Sequence, residues 1–230
     1  MKENIATIPV NDIFAQLEGC PLCRMTDMLE KNNIDYITGD AMMVPDVRVE
    51  TNKKGFCHRH FSQMLVRGKK LPNALLLESH LQDILNTCVP LGNGGRVDKK
   101  RLNRLAHVNT SCFVCDRMEL EAEHLYETVC AHWVNDADFR NIFSRQDFIC
   151  LKHYQKLVSV AQKCIKSKYL SDFNAAAGQL VSDYLTELKK DITHFCSMFD
   201  YKNKGADWGN SKDSINRAIT FLTGYEPDLK

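Results

Sequence analysis

The sequence predicts an all-α fold. Apolar residues recur at helical spacing through most of the chain, no segment shows the apolar–polar alternation of a half-buried strand, and Pro and Gly fall mainly between the helical stretches. Met118, Ala122, Leu125, Val129 and Trp133 are the clearest case, stepping by four, three, four and four, which lays one apolar stripe along a helix. At 230 residues and 44% apolar the chain can bury a substantial core. Its 30 basic and 29 acidic side chains leave a net charge of +1, which gives no global pull toward nucleic acid or anionic membrane.

Taken in order, residues 1–19 form a leader with a short helix that places Ile13, Phe14 and Leu17 on one side. Residues 22–37 read as a helix with Met25, Met28, Leu29 and Tyr36 inward, weakened by Asn32-Asn33. Gly39, Pro45 and Gly55 make 38–56 an ordered loop. From Cys57 a helix runs to about Arg67 with Phe61, Met64 and Leu65 inward. A second runs from Leu71-Pro72 to about Cys88 with Leu75, Leu76, Leu81, Ile84 and Leu85 inward. Pro90 and Gly92-Asn93-Gly94-Gly95 end it, and this break divides the chain into halves at 1–95 and 96–230, packed as one compact unit. Val97 to His107 is a short basic helix. After the stripe around Leu125, Asp136 to Ser144 is a connector. A helix from Cys150 to about Ile165 follows, then a long one from Tyr169 to Phe199, a polar loop at Tyr201 to Asn210, and a last helix capped by Ser211 and ended by Gly224.

Ten cysteines stand in this chain, and six of them fall into a repeated pattern. Cys20-x2-Cys23 is followed after 33 residues by Cys57-x2-His60, and Cys112-x2-Cys115 after 34 residues by Cys150-x2-His153. Chance supplies roughly 0.4 C-x2-C and 0.3 C-x2-H pairs in such a composition, so two of each in matching order point to a function for the pattern. The repeat extends further. Arg48 lies nine residues before Cys57 and Arg140 ten before Cys150, an aromatic follows each histidine (Phe61, Tyr154), and a methionine follows each Cys pair (Met25, Met118). Two pseudo-repeated helical halves are the economical reading.

Residues at i and i+3 in a knuckle or first helical turn can aim both side chains at one ion, and thiolate with imidazole suits tetrahedral zinc. The order of the motifs therefore predicts two Cys3His sites, Cys20, Cys23, Cys57 and His60 in the first half, Cys112, Cys115, Cys150 and His153 in the second. His58 corresponds to Leu151 in the second copy whereas His60 corresponds to His153, so His60 is the candidate ligand and His58 an exposed neighbour. Four protein ligands close the coordination sphere, which favours structural over catalytic zinc. An iron–sulfur cluster is the runner-up, since cysteine-ligated clusters use similar pairs. Cys88, Cys130, Cys164 and Cys196 read as core residues, and His80, His107, His124, His132 and His194 as capping or surface groups. Lys99, Lys100, Arg101 and Arg104 read as a solvated helix face rather than a phosphate clamp. Arg48 and Arg140 hold matching places and read as fasteners of their loops, through backbone carbonyls or acidic residues. No Walker loop, dinucleotide glycine motif, nucleophile elbow or H-E-x-x-H is present.

The phrases Glu18-Gly19-Cys20-Pro21-Leu22-Cys23, Gly55-Phe56-Cys57-His58-Arg59-His60-Phe61 and Asp147-Phe148-Ile149-Cys150-Leu151-Lys152-His153, with the tail Phe199-Asp200-Tyr201-Lys202, resemble an uncharacterised bacterial domain-of-unknown-function family. The resemblance spans almost the whole chain and implies a small cytosolic bacterial protein, without supplying an activity.

Met1-Lys2-Glu3-Asn4-Ile5 has no apolar stretch of a secretory signal, and no apolar run approaches the ~20 residues that span a bilayer, so the expected location is cytoplasmic and without a membrane partner. The expected function is that of a zinc-pinned helical binding or adaptor protein, with a protein or small molecule as partner, and not an enzyme. Two alternatives stand beside it: an iron–sulfur or thiol-redox enzyme, and a zinc-dependent nucleic-acid-binding module.

Overall fold

The computed structural model describes residues 7–67, 70–93 and 96–227. Among them are eleven α-helices and a single two-residue antiparallel ladder, Gly92↔Val97 and Asn93↔Arg96, so the fold is all-α. The helices are α1 (Thr7–Ala15), α2 (Pro21–Ile37), α3 (Pro45–Lys54), α4 (His58–Val66), α5 (Lys70–Thr87), α6 (Lys99–Thr110), α7 (Phe113–Asn135), α8 (Ala137–Ser144), α9 (Leu151–Cys164), α10 (Ser167–Ser197) and α11 (Ser214–Thr223). The leader's first residues, Met1 to Ile5, and the Gly94-Gly95 pair on which the sequence divided its halves lie outside the described residues.

The chain forms two compact units, one of Met1–Thr26 with Glu123–Lys230 and one of Asp27–Ala122. They divide the chain differently from halves at 1–95 and 96–230, because both boundaries fall inside helices, at 26/27 in α2 and 122/123 in α7.

In the first unit α9, α10 and α11 pack on one another, and α8 packs on α1 and α10. Aromatic rings fill the core. Phe14 meets Phe139 at 5.0 Å and Phe143 at 5.9 Å, Trp133 stands edge-on to Phe173 at 5.3 Å, and Phe148 stacks on Tyr184 at 4.1 Å. The predicted α7 stripe delivers Leu125, Val129 and Trp133 to this core. The stretch read as a connector is helix α8 instead: Asp136 caps it by accepting from the N–H groups of Asp138 and Phe139, and Phe139 and Phe143 are buried four residues apart. Asp213, not Ser211, is the residue before α11, which ends at Gly224 in the left-handed conformation.

In the second unit Ile34, Ile37, Phe56, Met64, Leu76, Phe113 and Val114 form the core. The expected loop at 38–56 is largely helix α3. Pro45 sits at its first turn, Asp46 complements the N-terminal end of its dipole, Lys53 and Lys54 the C-terminal end, and Gly55 stops it. The sequence missed it because the helix has no continuous apolar stripe, burying only Thr51. Within α2, Ile34 and Ile37 turn inward while Tyr36 is exposed. Asn33, which reads as a helix-weakening residue, is buried and bonded: it donates to the Leu29 carbonyl at 3.0 Å and to Glu121, and accepts from Arg117 Nε at 2.8 Å. On α5 the inward face is Asn73, Leu76 and His80, leaving Leu81 and Leu85 exposed.

Candidate metal centres

Two groups of three cysteines and one histidine come together, and their membership differs from the order of the motifs. Cys20 and Cys23 meet Cys150 and His153; Cys57 and His60 meet Cys112 and Cys115. Within each group the four candidate ligand atoms lie within 4.8 Å of one another. All eight predicted ligand residues are thus placed in these groups, but each C-x2-C pair faces the C-x2-H pair of the other predicted half. The expectation of one site per half is corrected accordingly.

The exchange has a local cause. Ahead of Cys150, Asp147 accepts from the Gly19 N–H at 3.3 Å and donates its own N–H to the Leu17 carbonyl at 3.2 Å, clasping the loop that carries Cys20. Arg24 adds bonds to the carbonyls of Ile13 and Gln16 and to Gln146, while Gln146 donates to the Phe14 carbonyl at 2.8 Å. Ahead of Cys57, the Lys54 carbonyl accepts from the Ser111 hydroxyl at 2.8 Å and the Gly55 carbonyl from the Phe113 N–H at 3.0 Å, clasping the loop that carries Cys112. Chain separation opposes this weakly. Cys23 and Cys150 are 127 residues apart, about fourfold the predicted spacing, and each doubling of a closed loop costs only about 0.6 kcal/mol.

The Cys pairs open α2 and α7, and each histidine lies in the first turn of its helix, α4 or α9. In the first unit His153 Nδ1 lies 3.2 Å from Cys150 Sγ, 3.3 Å from Cys23 Sγ and 3.8 Å from Cys20 Sγ, and Cys23 Sγ lies 3.6 Å from Cys150 Sγ. In the second, His60 Nδ1 lies 3.2 Å from both Cys57 Sγ and Cys112 Sγ and 3.4 Å from Cys115 Sγ. A tetrahedral zinc, with Zn–S about 2.3 Å and Zn–N about 2.0–2.1 Å, spaces its ligand atoms roughly 3.5–3.8 Å apart. The donor set and spacing therefore fit a single tetrahedral ion in each group.

The second ring nitrogen of each histidine fixes its tautomer. His60 Nε2 lies 3.0 Å from Glu30 Oε1, and an ionised carboxylate only accepts, so Nε2 carries a proton and Nδ1, which faces the sulfurs, is the nitrogen left to ligate a metal. Glu30 also accepts from Arg59 at 2.8 Å. Burial works against its charge, but the bonds from His60, Gln63 and Arg59 hold the carboxyl down at about 2. At His153 the partner is Thr26, 3.3 Å from Nε2. Its hydroxyl donates to the Leu22 carbonyl at 2.9 Å, so its oxygen accepts from the ring. Thr26 and Glu30 stand one turn apart on α2, and no motif spacing marks either of them.

Without a counter-ion the thiols are strongly perturbed. Burial, followed by the interaction with Cys150, pushes Cys20 up to about 12. Interactions with Cys150 and then Cys20 push Cys23 far up as well. Burial also opposes the charge of Cys112, yet it comes down to about 6 because the His60 ring, itself pushed against its burial up to about 10 by Cys112 and Glu30, donates from Nδ1 when no metal is bound. The two groups differ in cover. Cys20, Cys150 and His153 are buried, and Gly224 closes over them, where an added Cβ would come within 3.4 Å of Cys150 Sγ. In the other group Cys115 is exposed.

His58 is exposed. His80, though buried, bonds the Asn52 carbonyl in the last turn of α3 at 3.0 Å, a capping contact, whereas His132 is buried against the Phe139 ring at 5.3 Å and has neither the capping nor the surface role expected. Cys88 and Cys130 are buried, whereas Cys164 and Cys196, expected in the core, are exposed. Arg48 donates to the Met42 carbonyl and Arg140 to those of Trp133 and Val134, as loop fasteners. In α6, Arg101 donates to the Val89 carbonyl and Arg104 pairs with Asp83 at 2.7 Å. No helix among the described residues is long and apolar enough to cross a membrane. Neither a curated protein nor a solved structure matches the chain. A family model matches residues 1–228, that of DUF6062, a family of unknown function.

Proposed function

We propose a function for this chain, which belongs to the DUF6062 family, from its two Cys/His groups: each holds a structural zinc, and the folded protein serves as a helical binding or adaptor module. The observation that carries this reading is the histidine geometry. In both groups Nδ1 faces three sulfurs while Nε2 is engaged elsewhere, by Thr26 or Glu30, which is how ligating histidines are oriented. Three thiolates and one imidazole fill a tetrahedral sphere and leave no position for a substrate, which favours a structural role. In apparent terms each such ion contributes on the order of 10 kcal/mol to folding at neutral pH.

Sulfur–sulfur spacings of 3.6 Å in the first unit and 3.9 Å in the second favour a single ion over an iron–sulfur cluster, whose iron and sulfide atoms hold the cysteine sulfurs further apart. The nucleic-acid reading draws less support, since Arg101 and Arg104 spend their guanidinium groups on internal partners. Elemental analysis of protein prepared anaerobically without chelator tests the proposal. Two zinc ions per chain in colourless protein, with loss of helical circular dichroism on chelation, are expected. Metal-free protein with full helicity, or brown protein containing iron and sulfide, would overturn it.

A further inference from the structure

We propose that Cys130 and Cys164 form a reactive dithiol, separate from both Cys/His groups, that undergoes exchange with low-molecular-weight disulfides. Cys130 lies on α7 and Cys164 is the last residue of α9. Both line one cavity of about 400 Å³, together with Glu127, Lys166, Lys168 and Tyr169. That volume suits a small organic molecule. The two thiols face the same cavity from α7 and the end of α9, and neither is held in a disulfide.

Their exposures differ in the way the chemistry needs. Cys130 is 1% exposed, whereas Cys164 is open to solvent. An accessible thiol beside a shielded one is the arrangement of an attacking and a resolving cysteine. Lys166 and Lys168 on the cavity wall outnumber Glu127, so the site favours an anionic disulfide. Burial, and after it Cys164, pushes the Cys130 thiol up, which leaves Cys164 to begin the reaction.

The exchange proceeds in two displacements. The Cys164 thiolate attacks one sulfur of R–S–S–R, forming a mixed disulfide and expelling RS⁻. Cys130 then attacks Cys164 Sγ, forming the Cys130–Cys164 bond and expelling the second RS⁻. The protons of the two protein thiols pass to the two leaving groups. The protein dithiol loses two electrons, and R–S–S–R is reduced to two RSH.

Full-length zinc-loaded protein, treated with oxidised glutathione and read by intact mass and peptide mapping, tests this inference. The wild type should lose two hydrogens, gain a Cys130–Cys164 crosslink, release two glutathione thiols per chain and keep its metal content. Cys130→Ser, or Cys130→Ala should the first variant fold poorly, should instead trap glutathione on Cys164. Cys164→Ser should yield neither product. A wild type that stops at a glutathione adduct on Cys164, leaves Cys164 unreacted, or crosslinks through Cys196 or a cysteine of the metal groups would overturn the inference. Because metal content is measured on the same sample, failure of the zinc reading is registered separately.

Discussion

His60 and Glu30 form a buried pair in which the imidazole Nε2 donates to the carboxylate at 3.0 Å and the opposite nitrogen faces Cys57, Cys112 and Cys115. Glu30→Gln replaces this acceptor with a weaker one and loosens the ring. We expect metal affinity at this group to fall about 10- to 100-fold, as at other sites stripped of such a partner, while the Cys20 group is unchanged. Competition against a chromophoric chelator checks this, and unchanged release of both ions would argue against an orienting role for Glu30.

The exchanged pairing makes a prediction that the motif order reverses. Cys23→Ser with Cys150→Ser damages one observed group and spares the other, so one ion per chain is expected. Cys23→Ser with Cys57→Ser damages both, leaving no complete site. Pairing in chain order would give none for the first double variant and one for the second. Metal stoichiometry decides between them.

Metal uptake should release protons. The metal-free Cys20 thiol is held at about 12 by burial and Cys150, with Cys23 also pushed upward, so both remain protonated at neutral pH. A cation displaces those protons, and affinity therefore decreases as pH is lowered. Calorimetric titration with zinc in buffers of different ionisation enthalpy should give different apparent enthalpies; identical values would contradict the thiol assignment.

Chelation should proceed in two phases. Cys115 is exposed, whereas the other group has only Cys23 partly open beneath Gly224. The first ion lost to a chelator should come from the Cys57 group, so Cys115→Ser should remove the fast phase and leave the slow one. A single phase in the wild type would show that cover does not control release.

Gly55→Ala should destabilise the fold. Gly55 has φ +63° and ψ −158°, a region essentially reserved for glycine, and an added Cβ would lie 2.8 Å from His80 Nε2. The backbone strain alone costs about 1–3 kcal/mol, and the clash adds to it. Chemical denaturation of the metal-loaded protein measures the loss, and a midpoint equal to wild type would show that the loop relaxes freely.

The amino-acid sequence by itself determined the helical class, the α7 stripe ending in Trp133, the eight Cys and His residues of the two groups, and the preference for His60 over His58. These follow from local periodicity and i, i+3 spacing, which any stretch of chain declares without reference to the rest. Helix α3 was not legible because it buries little beyond Thr51, and α8 because its two phenylalanines are too few to show a period. Which Cys pair meets which Cys–His pair belonged to the tertiary structure. Loop length discriminates between the partners by only about 1 kcal/mol. The Asp147–Gly19 and Lys54–Ser111 clasps, which join residues 128 and 57 positions apart, outweigh it, and no local pattern announces such bonds.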